Sequence, residues 1–150
     1  KKLIIRAGKN FFDNASMEYG RMIHLILSKI KSQHDIATLV IPSTTSYTNQ
    51  QLTETITTII QHPLLQPYFT GEGIILNEQE IILPNGTIHR PDRIVIINNH
   101  VAIIDYKTGQ PHPSHEEQIN TYAQHMQEMG YPNTKKILVY IDLNEVVEIQ

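Results

Sequence analysis

The stretch Ile88-His89-Arg90-Pro91-Asp92-Arg93-Ile94-Val95-Ile96-Ile97-Asn98-Asn99-His100-Val101-Ala102-Ile103-Ile104-Asp105-Tyr106-Lys107 decides the fold. Two apolar runs of period two flank an Asn-Asn pair, the pattern of a β-hairpin closed by a tight turn. With Asn98-Asn99 as a two-residue loop, Ile97 faces His100. The same register sets Asp92 opposite Asp105 and Arg90 opposite Lys107. Alternation places these four charged residues on one face, which Ile94, Ile96, Val101 and Ile103 continue into the core. Directly opposed residues have Cβ atoms about 4.5–5.5 Å apart. Two carboxylates that close repel unless a proton or cation lies between them, and a hard ion such as Mg²⁺ or Mn²⁺ takes such oxygen ligands. The ordinary alternative is surface pairing, with Asp92 bridging Arg90 or Arg93 and Asp105 bridging Lys107. Against it, Asp105 ends an apolar run, where unpaired charge is expensive.

Working outward, Pro84-Asn85-Gly86 reads as a three-residue loop with a bulge. Pro84 fits the second position of a type I turn and Gly86 the left-handed position. Leu83 then faces Thr87, Glu78 falls opposite Asp92 on the same face, and Glu80 falls opposite Arg90. A two-residue loop would shift the register and turn Glu78 away. Segments 73–83, 88–97 and 101–107 therefore form a three-strand antiparallel meander. Ahead of it, 13–31 carries Met17, Ile23, Leu27 and Ile30 near the helical period, with Asp13, Asn14 and Ser16 as candidate N-caps. Residues 42–51 read as a loop, and a second helix spans about 52–62, stopped by Pro63. A third helix, 114–129, is ended by Gly130 and Pro132. Strands 137–142 and 145–149 close the chain. The expected class is α/β, one central mixed sheet (meander plus later strands) flanked by helices, without a run of βαβ units.

The 150 residues suit one domain with a sizeable core. The absence of cysteine excludes disulfides, thiolate zinc sites and cysteine-held iron–sulfur clusters. No apolar run approaches the ~20 residues of a membrane span, and the first residues are too short for a signal peptide. A cytoplasmic chain without a membrane partner is expected. The lack of an initial Met suggests a processed chain or a piece excised from something larger. A net charge of −3 argues mildly against nucleic-acid binding by bulk basicity.

Four elements combine: Gly20-x3-His24, Arg90-Pro91-Asp92-Arg93, Asp105-Tyr106-Lys107-Thr108-Gly109 and Gln118-x3-Tyr122. Together they resemble the PD-(D/E)XK nucleases. The RecB-like branch, found at the C-terminus of UvrD/Rep-type helicase–nucleases, is the most similar, over about residues 14–141. Asn77-Glu78-Gln79-Glu80-Ile81-Ile82 also resembles that branch's acidic strand and favours Glu78 over Glu80. The resemblance implies a restriction-endonuclease-like core, with 1–150 a single nuclease domain excised from a helicase–nuclease chain. It implies Asp92 and Asp105 as metal ligands, the Tyr106 carbonyl as a backbone ligand and His24 completing the shell, with Glu78 as a further acid. Lys107 would orient or activate the attacking water. Gln118 and Tyr122, one helical turn apart, would line the site and contact nucleic acid or Lys107, and Gly20 and Arg90 would contact nucleic acid. The implied activity is Mg²⁺- or Mn²⁺-dependent hydrolysis of DNA, single-stranded or unwound by a helicase, by exonuclease action in repair or recombination. The competing reading is a catalytically silent nucleic-acid-binding module of the same fold. Read singly, His24 is an ordinary helix histidine, His112 and His115 are solvated loop residues whose alternative role is contact with the phosphate backbone, and Met126 and Met129 are core.

Overall fold

A computed structural model describes residues 17–39 and 47–150. The proposed caps Asp13, Asn14 and Ser16 lie outside them. Helix α1 occupies 17–28 of the described residues. Helix α2 is Asn49–Ile60 and α3 is Pro113–Glu128. The strands are β1 (Ile74–Asn77), β2 (Ile81–Ile82), β3 (Ile88–His89), β4 (Arg93–Ile97), β5 (His100–Lys107), β6 (Asn133–Tyr140) and β7 (Glu145–Ile149). Short 3₁₀ turns cover Gln33–Thr38 and Gln66–Tyr68.

Five strands form one mixed sheet in the order β1-β4-β5-β6-β7, in which β5 and β6 run parallel and the other pairs antiparallel. A parallel pair needs a crossover, and α3 supplies it. Alternation along β5 divides the core. Ile104 and Tyr106 face α1 and α2, while Val101 and Ile103 pack with Ile119, Tyr122 and Met126 of α3. The expected α/β class, with a central mixed sheet flanked by helices, is what the structure has. Among the described residues, no helix is long and apolar enough to cross a membrane.

Both turns set the register as their residues dictate. Ile97 pairs with His100 across Asn98 and Asn99, which both take positive φ (49° and 64°). The Leu83 N–H donates to the Thr87 carbonyl at 2.9 Å around the three-residue loop, and Gly86 adopts φ 85°. The expected long strands are nevertheless interrupted. Segment 73–83 divides into β1 and β2, and 88–97 into β3 and β4, with β2 and β3 forming a separate two-stranded ribbon. The break is local: Asn77↔Arg93 and Ile81↔His89 keep one register on either side of it. At its centre Glu78 has φ 52°, and Pro91 cannot donate a ladder hydrogen bond. Pairing between β4 and β5 thus stops at Arg93↔Ile104, and the expected Arg90–Lys107 pair does not form.

Helix α2 begins three residues before the expected start, taking the end of the expected loop. Thr48 and Gln51 form a reciprocal capping box there, which satisfies the first exposed N–H groups. Strand β6 also begins earlier than expected, at Asn133, because parallel pairing with β5 extends back to His100. Met126 is core as expected, but Met129 is exposed, beyond the end of α3.

Candidate metal centre

The break in the meander gathers the acids. Its register brings the Glu78 N–H to the Asp92 carbonyl at 3.0 Å, and the Asp92 N–H reaches Asp105 Oδ1 at 3.2 Å. From α1, His24 Nε2 lies 2.7 Å from Asp92 Oδ1, and Nδ1 lies 3.4 Å from Glu78 Oε1. One potential ligand atom from each of His24, Glu78 and Asp92 falls within 4.8 Å of the others. Asp105 borders this trio, its Oδ2 held at 2.8 Å by the Lys107 ammonium. Lys107 also donates to the Gln118 side-chain oxygen, so α3 fixes its rotamer. The His24 ring meets Tyr106 edge-on, with centroids 5.8 Å apart, which sets its orientation.

The Tyr106 carbonyl points to the β4 side of β5, the side on which Asp92 lies. Groups of alternate strand residues point to opposite neighbours. The Lys107 carbonyl accepts from Ile141 on the β6 side. Both Tyr106 backbone groups therefore point toward β4. There the Tyr106 N–H donates to Asp92 Oδ2 at 2.8 Å. In the hairpin register the residue opposite Tyr106 is Pro91, which offers no N–H. The strand ladder thus supplies no donor to the Tyr106 carbonyl.

The electrostatics are those of a crowded acid pair. Burial pushes the Asp105 carboxyl up to about 6, and the Asp92 charge adds to the effect while Lys107 opposes it. Burial acts on Asp92 in the same direction, but the hydrogen bond and charge of His24 and the Tyr106 N–H together hold it below the usual carboxylate range. His24 is raised, first by its bond to Asp92, against the effect of burial. Its ring sits on the Asp92 side of the acid pair, as the Lys107 ammonium sits on the Asp105 side.

The expected nucleic-acid contacts fall in different settings, with Gln118 on Lys107, Tyr122 and Gly20 buried, and Arg90 exposed. Tyr122 is 4% exposed and packs in the α3 core, its ring edge-on to His89 at 5.5 Å. Burial raises its hydroxyl to about 12. It offers no free face for a base. Gly20 is buried, and a Cβ there would run into Thr108 Cγ2, so its small size lets α1 meet the loop after β5. Arg90 is exposed, with no ion pair among the described residues.

Two residues take places other than the solvated ones read from the sequence. Arg93 does not bridge Asp92, because adjacent strand residues face opposite sides. It is fully buried and donates to the carbonyls of Ile30 (2.6 Å), Lys31 (2.8 Å) and Tyr68 (2.7 Å) and to Asn77 Oδ1 (3.2 Å). Its guanidinium lies 3.9 Å from the Phe69 ring centre. It therefore ties the chain just after α1, and through α1 His24, to the start of β4, next to Asp92. His115 is the second, lining the cavity beside Lys107. No protein-family model matches this chain, and no significant match is found among curated proteins.

Proposed function

We propose that the chain is a metal-dependent nuclease domain with a restriction-endonuclease-like core, hydrolysing phosphodiesters of single-stranded DNA. The observation carrying this reading is the convergence of His24, Glu78 and Asp92 within 4.8 Å, beside an Asp105–Lys107 pair. The donor set fits a Mg²⁺ or Mn²⁺ ion. Asp92, Asp105, Glu78 and the Tyr106 carbonyl supply hard oxygens, and one imidazole favours Mn²⁺ somewhat over Mg²⁺. An Asp105 carboxyl raised by burial first and by the Asp92 charge second also fits a site built around a cation. When bound, such an ion lowers the pKa of water and polarises phosphate oxygens.

The chain's own groups do the positioning. Lys107, held by Asp105 and Gln118, presents N–H donors that can fix the attacking water and a non-bridging phosphate oxygen. Asp105 keeps the ammonium aimed. Tyr106 and His24 orient the two sides of Asp92. A helicase in the same chain or complex would deliver the strand, as the sequence resemblance implies.

The test is incubation of the protein with Mg²⁺ or Mn²⁺ and labelled single-stranded DNA, beside Lys107→Ala. Metal-dependent cleavage by the wild type that Lys107→Ala lowers at least ~100-fold is the expected result. Equal cleavage by both proteins would refute it. Tight DNA binding without cleavage under any metal would instead favour the silent binding module.

A further inference from the structure

A cavity of about 530 Å³ opens beside the acid cluster, within the range of roughly 300–1,000 Å³ common for small-ligand sites. Its inner wall is the catalytic cluster itself: His24, Glu78 and Lys107. Its outer wall is different in chemistry. Met17, Arg21 and Leu25 come from one face of α1, each four residues after the last. Met17 is 47% and Leu25 44% exposed, an apolar surface next to a polar site. Facing them, at the start of α3, is His115.

The His115 ring is held in one tautomer. Its Nδ1 accepts the His112 backbone N–H at 3.3 Å and lies 3.1 Å from the Tyr140 hydroxyl. A ring nitrogen that accepts carries no proton, so the neutral ring bears its hydrogen on Nε2. That N–H makes no hydrogen bond among the described residues, on a side chain that lines the cavity. Burial and the nearby Lys107 charge both lower the pKa of this ring, which keeps it neutral.

We propose that this cavity is a subsite for one unstacked nucleotide adjoining the scissile phosphate. Its base lies against Met17 and Leu25, and its phosphate is held by Arg21 and the His115 Nε2–H. The proposal rests on the nuclease reading and deepens it. A base inside a duplex has both faces stacked and its edge paired, so an apolar wall is useful only to a base that is free. The cavity therefore selects a single strand or a frayed end.

The experiment measures binding of a labelled single-stranded oligonucleotide and of its blunt duplex by fluorescence anisotropy, with Ca²⁺ in place of Mg²⁺ to slow cleavage. Wild type is compared with Leu25→Glu, His115→Ala and His115→Gln. Wild type should bind the single strand more tightly than the duplex. Leu25→Glu and His115→Ala should each weaken single-strand binding about tenfold. His115→Gln, which keeps a donor near the Nε2 position, should stay close to wild type. Circular dichroism checks that each variant is folded. If wild type cleaves single strands but Leu25→Glu and His115→Ala bind them as tightly as wild type, the subsite is refuted and the nuclease reading stands. If wild type neither binds nor cleaves, the nuclease reading falls and the subsite with it.

Discussion

Replacing Arg93 by Met removes the tie between α1 and the sheet while roughly keeping volume. The guanidinium serves three main-chain carbonyls and Asn77, and it is fully buried. The Ile30 carbonyl keeps a second donor, the Asn77 side-chain amide at 2.9 Å. The Lys31 and Tyr68 carbonyls lose the Arg93 donor. An orphaned buried acceptor costs about 1–3 kcal/mol. Lost contact with the Phe69 ring adds about 0.5–2 kcal/mol. Relief from burying an uncompensated cation offsets part of this. The balance is a destabilisation of about 3 kcal/mol, against a typical total of roughly 5–15 kcal/mol. Urea unfolding followed by circular dichroism measures it, and an unchanged m-value shows that the denatured state is not the cause. Because α1 carries His24, Arg93→Met should also weaken Mn²⁺ binding while leaving every ligand in place. A loss under 1 kcal/mol with unaltered Mn²⁺ affinity would refute the reasoning.

Three further outcomes follow from the same contacts. Gly20→Ala gains about 1 kcal/mol of helix propensity but runs into Thr108 Cγ2, an overpacking cost of about 1–3 kcal/mol. The single variant should be less stable than wild type, whereas in a Thr108→Ser background the same change should stabilise, as thermal unfolding will show. Without metal, stability should fall as pH rises. Asp105 has its folded pKa raised to about 6 from the usual ~3.9, so the fold loses about 3 kcal/mol between those values and does not regain it above them. His24 is also raised, so its contribution is full below its ordinary 6.5 and is lost as pH climbs through its folded value. Asp92 is lowered, and its contribution disappears only on the acid side, as pH falls through its folded value. About half of the Asp105 loss falls between pH 5 and pH 8, so the melting temperature of the metal-free protein should drop by roughly 3–6 °C over that window, with His24 adding to it. Excess Mn²⁺ should raise it more at pH 8 than at pH 5, and equal shifts at the two pH values would contradict the assignment of the acid pair.

The hairpin registers were legible because tight turns set pairing locally, and from them Glu78, Asp92 and Asp105 follow as neighbours. The interruption at Glu78 and Pro91 was less visible, since an apolar alternation continues on both sides of it. Pro91 alone signalled that the ladder must lapse. Arg93 shows a different limit. Strand alternation already turned it away from Asp92, but its destination depends on where the chain after α1 ends, which no local pattern states. Gly20 is similar, because its partner Thr108 is distant in sequence. Gln118 and Tyr122 share a helix face, as their spacing requires. The second of them falls one turn deeper, where α3 meets the sheet, and so becomes core. The capping box at Thr48 and Gln51 was readable, but the polar composition of its surroundings suggested loop.

The central claim is that the His24, Glu78, Asp92 and Asp105 cluster binds the ion that cleavage requires. Mn²⁺ occupancy, read by electron paramagnetic resonance, and the single-turnover cleavage rate of single-stranded DNA can be followed in one titration. The account predicts that both rise together in the wild type and that both collapse in Asp92→Asn. Cleavage that persists in Asp92→Asn, or Mn²⁺ occupancy that the substitution leaves unchanged, would contradict it.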